Sequence, residues 1–155
     1  VALLAAMLIV ALAPGARGQG AARMPRTANG SFTVEMKSLA EPDAADGVSL
    51  GRMSLDKRFE GDMVATSHGT ILTALTPVKK SAGYVAMERV TGTLHGRQGS
   101  FVFQHAATMT RGAQQLSITV VPDSGTGDLA GISGAFRLTI AEGRHLYEFE
   151  YSLPE

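Results

Sequence analysis

The chain contains no cysteine. Disulfides, anchoring through a lipid-modified cysteine and thiol catalysis are therefore excluded, and stability must come from the core and the hydrogen-bonded backbone. Excess charge of either sign is also absent, with 14 Lys+Arg against 14 Asp+Glu. Without a basic excess there is no electrostatic footprint for nucleic acid or for an anionic lipid surface. The four histidines form no His-x-His and no His-Glu-x-x-His, so no local metal motif is present and no metal is expected.

Long apolar runs are scarce as well. Residues 1–13 carry no charge, but they are too few to cross a bilayer, which needs ~20 helical residues. The run matches the apolar region of a secretory signal and leads into Pro14-Gly15 and small residues. Residues 1–22 are read as a signal peptide, with cleavage expected after Gly18 or Ala22, and the protein is expected to be exported, to the periplasm or beyond. Residues 23–30 are expected to form a flexible leader, followed by a single domain over 31–155. No membrane span is expected in the mature chain.

What is abundant is glycine, with 18 residues, and two-residue alternation. Eight alternating runs predict strands at about 31–37, 52–60, 63–73, 82–93, 99–110, 114–122, 135–142 and 145–153. Residues 37–51 are the expected place for a short helix or a flap. The phrase Leu-x-Gly-x-x-Gly-x-Phe occurs twice, at Leu94–Phe101 and at Leu129–Phe136. Each copy is read as a tight glycine-dependent reversal between strands. The fold class is therefore all-β, an eight-stranded antiparallel barrel, which removes exposed sheet edges.

A turn bounded by Leu94 and Gly99 sets a register in which Val90 opposes Phe103, Ala86 opposes Ala107 and Glu88 opposes His105. Glu88 and His105 then share a face with Tyr84, Ala86, Val90, Phe101, Phe103 and Met109. A carboxylate and an imidazole among apolar side chains describe a concave site able to move a proton. They equally describe a polar pair that only satisfies itself in the sheet. Tyr84, Glu88, Phe103 and His105 are the candidate ligand-binding residues, and no catalytic residue is assigned. On the opposite face Arg89 and Gln104 read as solvated, with Arg89 a carboxylate anchor if that face is inward. Glu148 and Glu150 read as a solvated face of the last strand rather than a carboxylate pair. Gly125-Thr126-Gly127-Asp128-Leu129-Ala130 fits a nucleotide fingerprint but lacks the strand-to-helix context that motif needs. No cofactor is expected.

Three segments carry a resemblance: Ser81–Gly92 (SAGYVAMERVTG), Gly99–His105 (GSFVFQH) and Val120–Gly131 (VVPDSGTGDLAG). Over about residues 30–154 the chain resembles a bacterial family labelled domain of unknown function 3224. That family is similar in fold to the allene oxide cyclase and dirigent barrels, a link the glycine-rich stretch Gly125–Gly134 also suggests. The resemblance implies an allene-oxide-cyclase-like barrel and a homo-oligomer, a trimer in plant members of that superfamily. It transfers no activity. Three functions fit: a barrel that binds a small apolar molecule, an isomerase or cyclase, and a structural barrel with a filled interior.

Overall fold

The computed structural model describes residues 24–154, so the expected signal segment lies outside the described residues. Nine strands run in chain order: β1 (Arg26–Ser38), β2 (Asp43–Ala45), β3 (Val48–Gly61), β4 (Met63–Leu75), β5 (Ala82–Leu94), β6 (Arg97–Thr110), β7 (Ala113–Val120), β8 (Ser133–Ala141) and β9 (Arg144–Ser152). One 3-10 turn, Gly127–Leu129, precedes β8. Every strand pairing is antiparallel, and β1 pairs with both β9 and β3. That double pairing closes β1, β9, β8, β7, β6, β5, β4 and β3 into an eight-stranded barrel. The three-residue β2 pairs with β3 alone.

Two expectations about the first fifty residues change. β1 begins at Arg26, so residues 26–30 of the expected leader lie in the sheet, where Ala28 faces Phe149 and is fully buried. The segment expected to hold a helix or flap is instead the end of β1 and a small β2–β3 hairpin, turned by Asp46 and Gly47, both at positive φ.

The two glycine-rich phrases also differ from each other. The first is a hairpin, but its turn is only His95-Gly96, with φ of 46° and 78°. Two central residues at positive φ make the tight turn whose twist matches that of paired strands. Leu94 therefore pairs with Arg97 rather than with Gly99. The register is two residues away from the expected one: Glu88 opposes Phe103 and Ala86 opposes His105. A shift of two leaves every side chain on its expected face. Gly99 lies inside β6, where the 121–132 loop crosses it. Thr126 donates its N–H to Ser100 O at 2.8 Å, and Ser100 N–H returns a bond to Thr126 Oγ1 at 3.0 Å. The second phrase is not a tight reversal. It spans the 3-10 turn and the end of that loop, whose Leu129 and Ile132 plug one end of the barrel. β7 and β8 share one paired position, Thr119↔Ala135.

The interior is divided. Toward the plugged end it is filled by Phe59, Phe101, Phe103, Phe149, Tyr147 and Tyr151, each at most 4 % exposed. Phe103 meets Phe149 edge-on at 5.2 Å and Phe101 at 4.9 Å. Each such ring contributes about 1.5–3 kcal/mol by leaving water. Toward the other end the packing thins to Leu55, Ile71 and Ala86, with Val34, Met53 and Tyr84 half-buried beside them. The functional question lies at the border between the two halves.

Candidate functional site

Alternation along β5 sends Ala86, Glu88 and Val90 inward and Val85, Met87 and Arg89 outward. Glu88 is fully buried, and His105 on β6 is 3 % exposed. They are not cross-strand partners, yet His105 Nε2 lies 2.8 Å from Glu88 Oε2. The diagonal is spanned because both side chains are long and point into the same space. Lys57 of β3 and Ser67 of β4 complete the cluster. Lys57 Nζ donates to Glu88 Oε2 at 2.8 Å, and Ser67 Oγ donates to Glu88 Oε1.

Strand spacing makes this convergence feasible. Gly69 is the direct partner of Glu88 on β4, and an added Cβ there would lie 2.5 Å from the Met87 carbonyl oxygen. The bare backbone lets β4 press against β5 beside the carboxylate. Lys57 reaches across the interior with Nζ 4.9 Å from the centre of the Phe32 ring and 5.7 Å from that of Phe59. Aromatic faces attract such a cation and help compensate for its burial.

Burial alone would raise the Glu88 pKa, because it penalises the charged form. The hydrogen bond from His105, the Lys57 charge, and hydrogen bonds from Lys57 and Ser67 outweigh it and hold the group at about 2, below its ordinary 4.5. Glu88 is thus an ionised carboxylate at neutral pH. An ionised carboxylate only accepts, so the hydrogen between it and His105 sits on Nε2. The other ring nitrogen, Nδ1, makes no hydrogen bond with a described residue. Every sealed side-chain nitrogen or oxygen among the described residues has a partner, so Nδ1 is one that is not sealed.

His105 lines a cavity of about 350 Å³ in the thinner half of the barrel. At the ~30 Å³ that a water molecule occupies in the liquid, this is room for about a dozen non-hydrogen atoms. Its wall is mostly apolar, with Val34, Leu55, Ile71, Ile118 and Leu138 among the lining residues. Its polar lining comprises Lys57, Thr73, Tyr84, His105 and His145. No carboxylate lines it, since Glu88 lies beneath the floor. Tyr84 is half-buried, and burial and then the Glu88 charge raise its phenol above the ordinary 10.0. Tyr84 is therefore an O–H donor at neutral pH.

The structure thus brings Tyr84, Glu88 and His105 to one place, with Tyr84 and His105 on the cavity wall. Phe103 lies deeper, in the aromatic stack, and is not part of the lining. Arg89 and Gln104 are exposed on the outer wall, so the solvated reading of that face holds. Glu148 is exposed and pairs with Arg137 at 2.7 Å, and Glu150 is exposed beside it. Gly125–Ala130 leads into no α-helix, so the nucleotide fingerprint has no structural counterpart. Among the described residues no group of three or more His, Asp or Glu is placed to hold a metal. Sequence reasoning did not find Lys57, Ser67 or His145. Lys57 alternates with Leu55 and Phe59, and a lysine on an apolar strand face is a signal that a buried carboxylate stands opposite.

The molecule is therefore an eight-stranded antiparallel barrel, packed at one end and hollow at the other, with a buried ion cluster between. A family model described as protein of unknown function, DUF3224, matches residues 28–151. A crystal structure of a protein of unknown function from the DUF3224 family of Shewanella oneidensis MR-1 is similar, with 44 % identity and a TM-score of 0.76. The match covers 85 % of this chain and 100 % of that one. The chain belongs to the DUF3224 family. No curated protein matches it.

Proposed function

We propose that the protein binds a small, largely apolar molecule inside the barrel. The observation that carries this reading is the contrast between the two halves of the interior. One end is filled with aromatic rings, while the other keeps a cavity of about 350 Å³ walled by aliphatic side chains. A purely structural barrel would gain from filling that volume, because unfilled apolar space forfeits packing. A few polar groups on an apolar wall are the usual composition of a small-molecule site. The test is titration with a neutral naphthalene fluorophore, in the native chain and in Leu138→Trp, whose indole would occupy the cavity. The native chain should bind with a blue-shifted emission and the variant should not. Equal binding by both would place the dye elsewhere and defeat the reading.

A second reading, an isomerase or cyclase, is favoured by the buried Glu88–His105 pair, whose imidazole lines the cavity. Such an enzyme needs little beyond a shaped cavity and polar groups that hold one reactive conformer. Export belongs to the same proposal and rests on the uncharged run at residues 1–13. Cell fractionation with N-terminal sequencing tests it: mature protein should begin after Gly18 or Ala22, outside the cytoplasm. A homo-oligomer, a trimer by the resemblance to the allene oxide cyclase and dirigent barrels, is the corresponding expectation for assembly.

A further inference from the structure

The polar groups at the cavity floor differ in kind. His105 gives its Nε2 hydrogen to an ionised Glu88, which fixes the tautomer and leaves the Nδ1 lone pair for whatever the cavity holds. Glu88 is shared with Lys57 at 2.8 Å, so a proton on His105 leaves the cluster one positive charge in excess, which negative charge forming beside it would offset. Tyr84 offers that charge a hydrogen. It pairs with Ala107, two residues along β6 from His105, so the two side chains are diagonal neighbours on the inward face. Its hydroxyl makes no hydrogen bond with a described residue, and its raised pKa keeps the proton in place. A base and a neutral donor, side by side on an apolar wall, complement one chemical group: a carbonyl with a hydrogen on the adjacent carbon.

We propose that the site takes a small hydrophobic ketone and moves the proton on the carbon next to its carbonyl, with His105 Nδ1 as base and Tyr84 Oη as the donor to the carbonyl oxygen. This rests on the cavity-binding reading above. In the step, the C–H bond breaks and an N–H bond forms at Nδ1. The C–H electron pair becomes the enolate π bond, and the carbonyl π pair moves to oxygen, where Tyr84 O–H holds it. Return of the proton from the imidazolium to the same carbon regenerates the ketone. Return to the far end of a conjugated enolate gives the double-bond isomer. No oxidant or other reactant is needed. Glu88 touches no substrate and acts as a positioning residue that sets the tautomer and orients the ring.

The test uses 2-tetralone, a neutral ketone of about the cavity's size, incubated with the full chain in deuterium oxide. Binding is read from protein chemical shifts, and deuterium uptake next to the carbonyl is read from the probe's own spectrum. Exchange should exceed that in matched buffer by at least ~100-fold, the contribution expected of a placed general base. His105→Asn should lose the acceleration, and Tyr84→Phe should lose at least ~10-fold of it. Nitrogen-15 shifts of the histidines should show Nε2–H at His105 in the native chain and a changed tautomer balance in Glu88→Gln. Binding without accelerated exchange overturns the proton-transfer proposal and leaves the cavity reading standing. Failure to bind overturns both. Acceleration that survives in both His105→Asn and Tyr84→Phe also overturns the assignment.

Discussion

His105 Nε2 lies 2.8 Å from Glu88 Oε2 although neither residue is the other's cross-strand partner. The contact is diagonal, and it exists because the long side chains of His105 and Lys57 both reach the buried Glu88 Oε2. In a low-dielectric setting each member depends on the others.

That dependence gives a stability prediction. Glu88→Gln leaves the buried Lys57 ammonium without its counter-charge, which costs about 3–5 kcal/mol for a pair of this kind. Lys57→Met leaves Glu88 with only His105 and Ser67 and should also destabilise. The double variant should be more stable than the sum of the two losses implies, measured as a coupling of more than ~1 kcal/mol in urea unfolding. Strictly additive losses would mean that the pair is not coupled.

The same cluster sets a pH window. The Glu88 pKa in the folded chain is depressed to about 2 from an ordinary 4.5. A depressed carboxylate contributes stability that is present above the unfolded value and is lost as pH falls through the folded value. Unfolding free energy should therefore drop as pH falls from about 4.5 to about 2. Glu88→Gln should show a shallower drop over that window. Identical acid profiles for the two proteins would contradict the assignment of charge at Glu88.

Turn chemistry makes a third prediction. Gly96 has φ of 78° and open space where a Cβ would be, so Gly96→Val tests backbone strain alone, expected at about 1–2 kcal/mol. Gly131 has φ of 74°, and a Cβ there would lie 2.6 Å from Pro154 Cγ, so Gly131→Val adds a clash and should cost more. Chemical denaturation of both variants measures the order. Wild-type stability in both would contradict the turn geometry.

The legible part of this fold was its periodicity. Alternation located the eight barrel strands and put Glu88, His105, Tyr84 and Phe103 on one shared face, which the barrel turns inward, because a two-residue period survives any even error in register. Pairing was less legible. Leu94–Phe101 permits a four-residue loop or a two-residue turn, and only the positive φ of His95, unusual for a residue with a side chain, selects the tighter one. The second glycine phrase has the same letters but crosses β6 rather than turning a hairpin. What decides this is Thr126 bonding to Ser100, a contact between residues 26 apart in sequence. Lys57 went unread for a similar reason. Its role depends on Glu88, and strands β3 and β5 are neighbours of β4 but not of each other.

The most direct measurement of the central claim is native mass spectrometry of the protein purified from its own host. The account predicts a discrete non-covalent mass, of a small organic molecule of about a dozen non-hydrogen atoms, released on denaturation and absent from Leu138→Trp. Bare protein mass in every preparation, together with no binding of the naphthalene fluorophore by the native chain, would contradict a ligand-holding barrel.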